Sequence, residues 1–124
     1  MIVLDYRDKR PIYEQVVEKL SHLIACGALE PESRMPSVRQ LAMDLSVNPN
    51  TIQRAYALLE QDGYIYTISG RGNFVAPAES WQKGRLGEIN EELLKVLKSA
   101  RVAGLKEEAA HEMVSQVWKE KMDS

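Results

Sequence analysis

A single cysteine, Cys26, excludes an internal disulfide framework and suits a reducing compartment. No run of about 18 apolar residues occurs, so no membrane span is expected. The N-terminus lacks a signal-peptide pattern, and the expected location is cytoplasmic. Histidine is also scarce. His22 has Glu18 and Cys26 one turn away on either side, and His111 has Glu107 and Glu108 one turn before it, but neither grouping matches a known zinc spacing. Two histidines and one cysteine yield no nucleophile–base set with any spacing support. Gly70-Arg71-Gly72 opens onto a β-prone run rather than a helix, so it is not a phosphate-cradling loop. These absences argue against an enzyme, a metal site and a cofactor. An excess of positive charge is missing too. The formal charge is −2, whereas nucleic-acid-binding domains are usually basic.

The charge is unevenly placed, however. Acids predominate in residues 1–32, where Asp5, Asp8, Glu14, Glu18, Glu30 and Glu32 face Arg7, Lys9, Arg10 and Lys19. From Arg34 to Gly72 the bases Arg34, Arg39, Arg54 and Arg71 outnumber Asp44, Glu60 and Asp62, for a local charge of +1. Residues 81–124 hold eight bases and eight acids. A chain of 124 residues with 44% hydrophobic content supports one ordinary domain, or a small domain with an appendage.

The stretch from Met35 to Val75 carries the strongest local signals. Ser37 is placed to cap a short helix whose buried stripe is Val38, Leu41, Ala42 and Leu45. Ser46-Val47 forms a turn, with Val47 as an apolar plug. Asn48-Pro49 starts the next helix: Asn caps, and Pro suits the first position because its missing N–H has no partner there. Ile52, Ala55, Tyr56, Leu58 and Leu59 make its apolar stripe, while Asn50, Thr51, Gln53 and Arg54 form a polar face with no acid. Asp62-Gly63 ends it. Tyr64–Ile68 and Asn73–Val75 are β-prone and flank Ser69-Gly70-Arg71-Gly72, a turn carrying one positive charge. Two tightly joined helices followed by a basic hairpin describe a winged helix-turn-helix, whose second helix enters the DNA major groove.

Residues 1–10 form an extended arm, and Pro11 to about Cys26 a supporting helix with Ile12, Val16, Leu20, Leu23 and Ile24 inward. Pro77, Ser80, Gly84 and Gly87 interrupt periodicity. Helices are then expected over Glu88–Arg101 and Leu105–Met122. Two helices of that length cannot enclose their own apolar residues, and the economical solution is the same pair from a second chain. Ile89, Leu93, Val96, Leu97, Leu105, Met113 and Val117 are the expected homodimer interface. The fold class is therefore mainly α with a small β-hairpin wing. Its domains are a winged helix-turn-helix at 1–76, a linker at 77–87 and a helical dimerisation domain at 88–124, with a small-molecule effector between the tail helices left open. Tyr64 and Tyr66 are assigned to packing, as are Tyr6 and Trp81.

Pro11-Ile12-Tyr13-Glu14-Gln15, Gly27-Ala28-Leu29, Met35-Pro36-Ser37-Val38-Arg39-Gln40-Leu41-Ala42, Val47-Asn48-Pro49-Asn50-Thr51, Leu59-Glu60-Gln61-Asp62-Gly63-Tyr64 and Gly70-Arg71-Gly72-Asn73-Phe74-Val75 together resemble the GntR family of bacterial transcription regulators. The match is dense and ordered over roughly residues 8–76. The resemblance implies that Arg39 contacts DNA, that Ser37 meets phosphate, that Asn50 and Thr51 are contacts at the start of the recognition helix, and that Ser69-Gly70-Arg71 is the wing tip. Many members carry Ser-Arg-x-Thr-x-Arg where this chain has Asn48-Pro49-Asn50-Thr51-Ile52-Gln53, so Pro49 and Gln53 stand in place of two arginines. The Asn-Pro-Asn-Thr form and the short tail resemble the YtrA branch, whose tails mainly dimerise and whose members often repress operons for ABC-type transporters. The implied function is a homodimeric repressor on double-stranded DNA, at a pseudo-palindromic operator of its own operon. Gln53 is the candidate adenine reader, with Thr51 on a phosphate. Arg54 has two open readings, a DNA backbone contact or a solvated side chain. The competing function is a winged-helix protein-interaction module without specific DNA binding, supported by the net negative charge.

Overall fold

The computed structural model describes residues 2–121, which run α1 (Ile12–Ala25), α2 (Val38–Leu45), α3 (Pro49–Gln61), β1 (Ile65–Ile68), β2 (Gly72–Val75), a short 3-10 turn (Ala78–Ser80), α4 (Gln82–Ala103) and α5 (Glu107–Lys119). Contacts divide the chain into two units that meet between Trp81 and Gln82.

The first unit is a winged helix. Its helices begin where the capping chemistry dictates. The Ser37 hydroxyl accepts from Gln40 N–H at 3.0 Å, and the Asn48 side-chain oxygen Oδ1 accepts from Asn50 N–H at 2.8 Å with Pro49 in the first turn of α3. Leu20, Leu41, Ile52, Leu59, Ile65 and Val75 are fully buried, one or two from each element. Burial of a side chain of this size contributes roughly 1.5–3 kcal/mol. Gln15, also buried, uses both ends of its amide on Asp5, accepting from the Asp5 N–H and donating to its carbonyl at 2.9 Å each. The N-terminal arm is thereby pinned to α1.

The hairpin pairs antiparallel, Ile65 opposite Val75 and Ile68 opposite Gly72. It extends the expected second strand back to Gly72 and starts the first at Ile65 rather than Tyr64. Tyr64 is instead buried, with its ring stacked on Trp81 at 5.2 Å between centroids. The connector from α1 to α2 adds a third, irregular strand along the far edge of β2. Val75 N–H donates to Ser33 O and Met35 N–H to Asn73 O, each at 2.8 Å, and Arg34 stands opposite Phe74.

Tyr56, buried on α3, donates its hydroxyl to Pro36 O at 2.7 Å, tying the recognition helix to the start of α2. Burial pushes its phenol from 10.0 up to about 12. The folded pKa is raised, so the stability this group contributes is whole below pH 10 and is lost as pH rises towards 12, where the unfolded chain ionises first. Tyr56→Phe is expected to lower stability by about 1 kcal/mol at neutral pH and to flatten that alkaline decline. Urea midpoints measured across the alkaline range check both effects.

The second unit differs from the sequence expectation. Helix α4 starts at Gln82, not Glu88, and runs through Gly84 and Gly87. A glycine costs about 1 kcal/mol in a helix interior, but the surrounding residues are good helix formers, and Arg85 pairs with Glu88 one turn on at 3.4 Å. Helix α5 begins at Glu107 rather than Leu105 and ends at Lys119, and Met122, the expected end, lies outside the described residues. Neither α4 nor α5 buries a residue. No helix among the described residues is long and apolar enough to cross a membrane.

Candidate nucleic-acid interface

Helix α3 turns Ile52, Ala55, Tyr56 and Leu59 into the core, which leaves Asn50, Gln53 and Arg54 exposed together on the opposite side. Thr51 lies half-buried at the edge of that face, and Asn48 is exposed while its side chain caps the helix. Helix α2 places Arg39 in its first turn, exposed, two residues after the capping Ser37. At the wing, Arg71 N–H donates to Ile68 O at 2.9 Å and closes the turn through Ser69 and Gly70. Gly70 sits at φ +78, which side-chain-bearing residues rarely adopt, so the turn needs glycine there. Ser69, Gly70 and Arg71 are all exposed.

The electrostatics are asymmetric. Among the described residues the ion pairs are Arg7–Asp5, Arg10 with Asp8 and Glu18, and Arg85–Glu88, and none involves Arg34, Arg39, Arg54 or Arg71. The neighbouring acids are held by neutral donors. The Gln40 amide donates to Asp44 at 2.8 Å, the Tyr66 hydroxyl to Glu32, and the Thr67 hydroxyl to Glu60. Glu32 in turn holds the Tyr66 phenol above its ordinary pKa. No carboxylate oxygen of the described residues lies within 4 Å of the charged nitrogens of these four arginines. Arg7 and Arg10 are neutralised; the Arg10 contact also holds the Asp8 and Glu18 carboxyls below the usual range.

Arg54 is exposed and has a partner that neither sequence reading included. Its guanidinium lies 3.8 Å from the centroid of the Tyr13 ring on α1, a cation–π contact. Trp81 likewise goes to Tyr64, while Tyr6 is exposed. Sequence reasoning passed over Arg34, which stands beside the wing, and Leu86, which the longer α4 adds to its apolar face at 54% exposure. Leu86 precedes Ile89 by three residues, a helical spacing visible in the sequence but masked by the flanking glycines. In the tail, Ile89, Leu93, Val96, Leu97, Met113 and Val117 are exposed, whereas Leu105 is half-buried within its own unit. No group of three or more His, Cys, Asp or Glu side chains among the described residues could hold a metal ion.

Comparison with known proteins places this geometry. The pattern for bacterial regulatory proteins of the gntR family matches residues 12–75. The chain is 35% identical over 119 residues to the HTH-type transcriptional repressor YtrA of Bacillus subtilis (strain 168), covering 94% of this chain and 92% of that protein. The crystal structure of a transcriptional regulator from Oenococcus oeni aligns at a TM-score of 0.75 and 29% identity, over 95% of this chain and 97% of that one. The DNA-binding domain of AraR, solved in complex with operator ORE1, aligns at a TM-score of 0.53 and 32% identity, over 60% of this chain and 90% of that domain.

Proposed function

We propose that this chain, which belongs to the GntR family of bacterial transcriptional regulators, is a homodimeric, sequence-specific repressor of its own operon. The observation that carries the reading is the set of exposed arginines without carboxylate partners, Arg39 and Arg71 among them, flanking the polar start of α3. Such groups bind phosphates and the edges of bases. Each unit spanning 1–76 takes one half-site, with Asn50, Thr51 and Gln53 in the major groove and Arg71 at the adjacent minor groove. Arg54 sits one turn along α3 from Asn50, over the Tyr13 ring, and meets the DNA backbone from there. Residues 77–81 connect each half-site reader to the dimerising tail, which begins with α4 at Gln82. The Bacillus subtilis relative is a transcriptional repressor, and the resemblance to the YtrA branch extends the reading to an operon for an ABC-type transporter.

The homodimer rests on a second observation. Leu86, Ile89, Leu93, Val96 and Ala100 alternate at three- and four-residue steps along α4, the spacing of a helix–helix seam, and four of the five are exposed while Ala100 is half-buried. A gel-shift assay on the promoter upstream of its own gene tests the function. Salt-sensitive binding is expected there, and its absence would refute the reading. Arg39→Ala is expected to weaken that binding by about 1–3 kcal/mol. Unchanged affinity would remove Arg39 from the interface.

A further inference from the structure

We infer that Arg34 is an additional DNA-phosphate contact, lying between the α2 contacts and the wing. The inference rests on the DNA-binding reading above. Arg34 belongs to the connector strand beside β2, where its neighbour Met35 points into the core at 2% exposure. Alternation along a strand sends Arg34 to the outer face, and it is exposed. Its side chain folds over the base of the wing. A Cβ built on Gly72 would lie 3.3 Å from its Nε and 3.4 Å from a terminal nitrogen. The bare glycine is what leaves room for the guanidinium there. Arg71, at the wing tip, is the next residue in sequence to Gly72. On the other side, Arg34 is three residues from Ser37 and five from Arg39. The positions Arg39, Ser37, Arg34 and Arg71 thus form a connected series from one proposed contact element to the other.

Arg34 makes no ion pair among the described residues, and the acid nearest in sequence, Glu32, accepts from the Tyr66 hydroxyl rather than from Arg34. A planar, permanently charged guanidinium held against a glycine, with its donors uncommitted, matches a backbone phosphate. It lies beside the body of the wing rather than at its tip, so it is assigned to phosphate and not to a base edge.

The test measures binding of the full-length dimer to its promoter duplex and to a scrambled duplex of equal length, across a range of KCl concentrations. Wild type is compared with Arg34→Gln, which keeps most of the length, and Arg34→Lys, which keeps the charge. Arg34→Gln is expected to weaken both duplexes by the same factor, about ten- to a hundredfold, and to lower the slope of log affinity against log salt by about 1.8, the signature of one lost phosphate contact in each of the two protomers. Arg34→Lys is expected to retain the slope. An unchanged slope in Arg34→Gln, or a loss confined to the promoter duplex, overturns the assignment while leaving the proposed function standing. Wild-type protein that binds neither duplex overturns both. Thermal melts of each variant separate loss of contact from loss of fold, and a weakened Arg34→Gln that also melts well below wild type counts against a contact role.

Discussion

Gly63→Ala is expected to destabilise the winged-helix unit by about 3 kcal/mol or more, through two additive causes. Gly63 follows α3 at φ +85, in the left-handed region that side-chain-bearing residues enter only with strain. An added Cβ would also stand 2.1 Å from the Ser80 carbonyl oxygen and 2.9 Å from its carbon. Those are backbone atoms, so no rotamer change relieves the clash. Ser80 would have to move, and with it the neighbouring Trp81 ring that covers Tyr64. Thermal melts should show a fall of roughly 10 °C or more in the transition of this unit. Gly27→Ala makes the matched comparison. Gly27 has the same φ of +85 but nothing within 4 Å of its Cβ position, so it carries the strain without the clash and should cost about 1–2 kcal/mol. Equal effects at the two positions would show that the close approach of Ser80 contributes nothing.

Leu93→Glu combined with Val96→Glu is expected to convert the proposed dimer to monomer and to reduce operator affinity by about 100-fold or more. Two linked half-site readers gain that order of avidity over one, and a single reader forfeits it. The residues are 50% and 63% exposed in the isolated chain, so the change should leave the melting of the winged-helix unit where it was. Sedimentation and gel shifts on whole and half operators provide the readings. A double variant that stays dimeric, with full affinity, would place the seam elsewhere.

The features that sequence revealed best were those decided within a few residues. Ser37 and Asn48-Pro49 start helices because a side-chain oxygen finds a free N–H two or three positions on, and each does so in the structure. Gly63 and the turn at Gly70 follow from the same local chemistry. The polar face of α3 was legible because the periodicity of Ile52, Ala55, Tyr56 and Leu59 leaves the alternative positions no other direction. What escaped was non-local or masked. Arg54 finds its partner on Tyr13, in a helix that sequence spacing cannot bring near it. Arg34 lies between two helices with no local pattern to orient it, and a strand partner far along the chain gives it a defined outward face. Gly84 and Gly87 interrupt the apolar periodicity, but with no tertiary constraint against helix the residues around them carry α4 through, and Leu86 with it.

The connector beside β2 has a mechanical consequence. Because its backbone is bonded to Asn73 and Val75, the hairpin cannot peel away as a loose finger; the rungs to Ser33 and Met35 would have to part as well. Only Pro36 separates Met35 from Ser37, so the tether between hairpin and helix is too short to absorb slack. Any force that tilts the fingertip is delivered to the first turn of α2, and the span between Arg39 and Arg71 behaves as a ruler of nearly constant length.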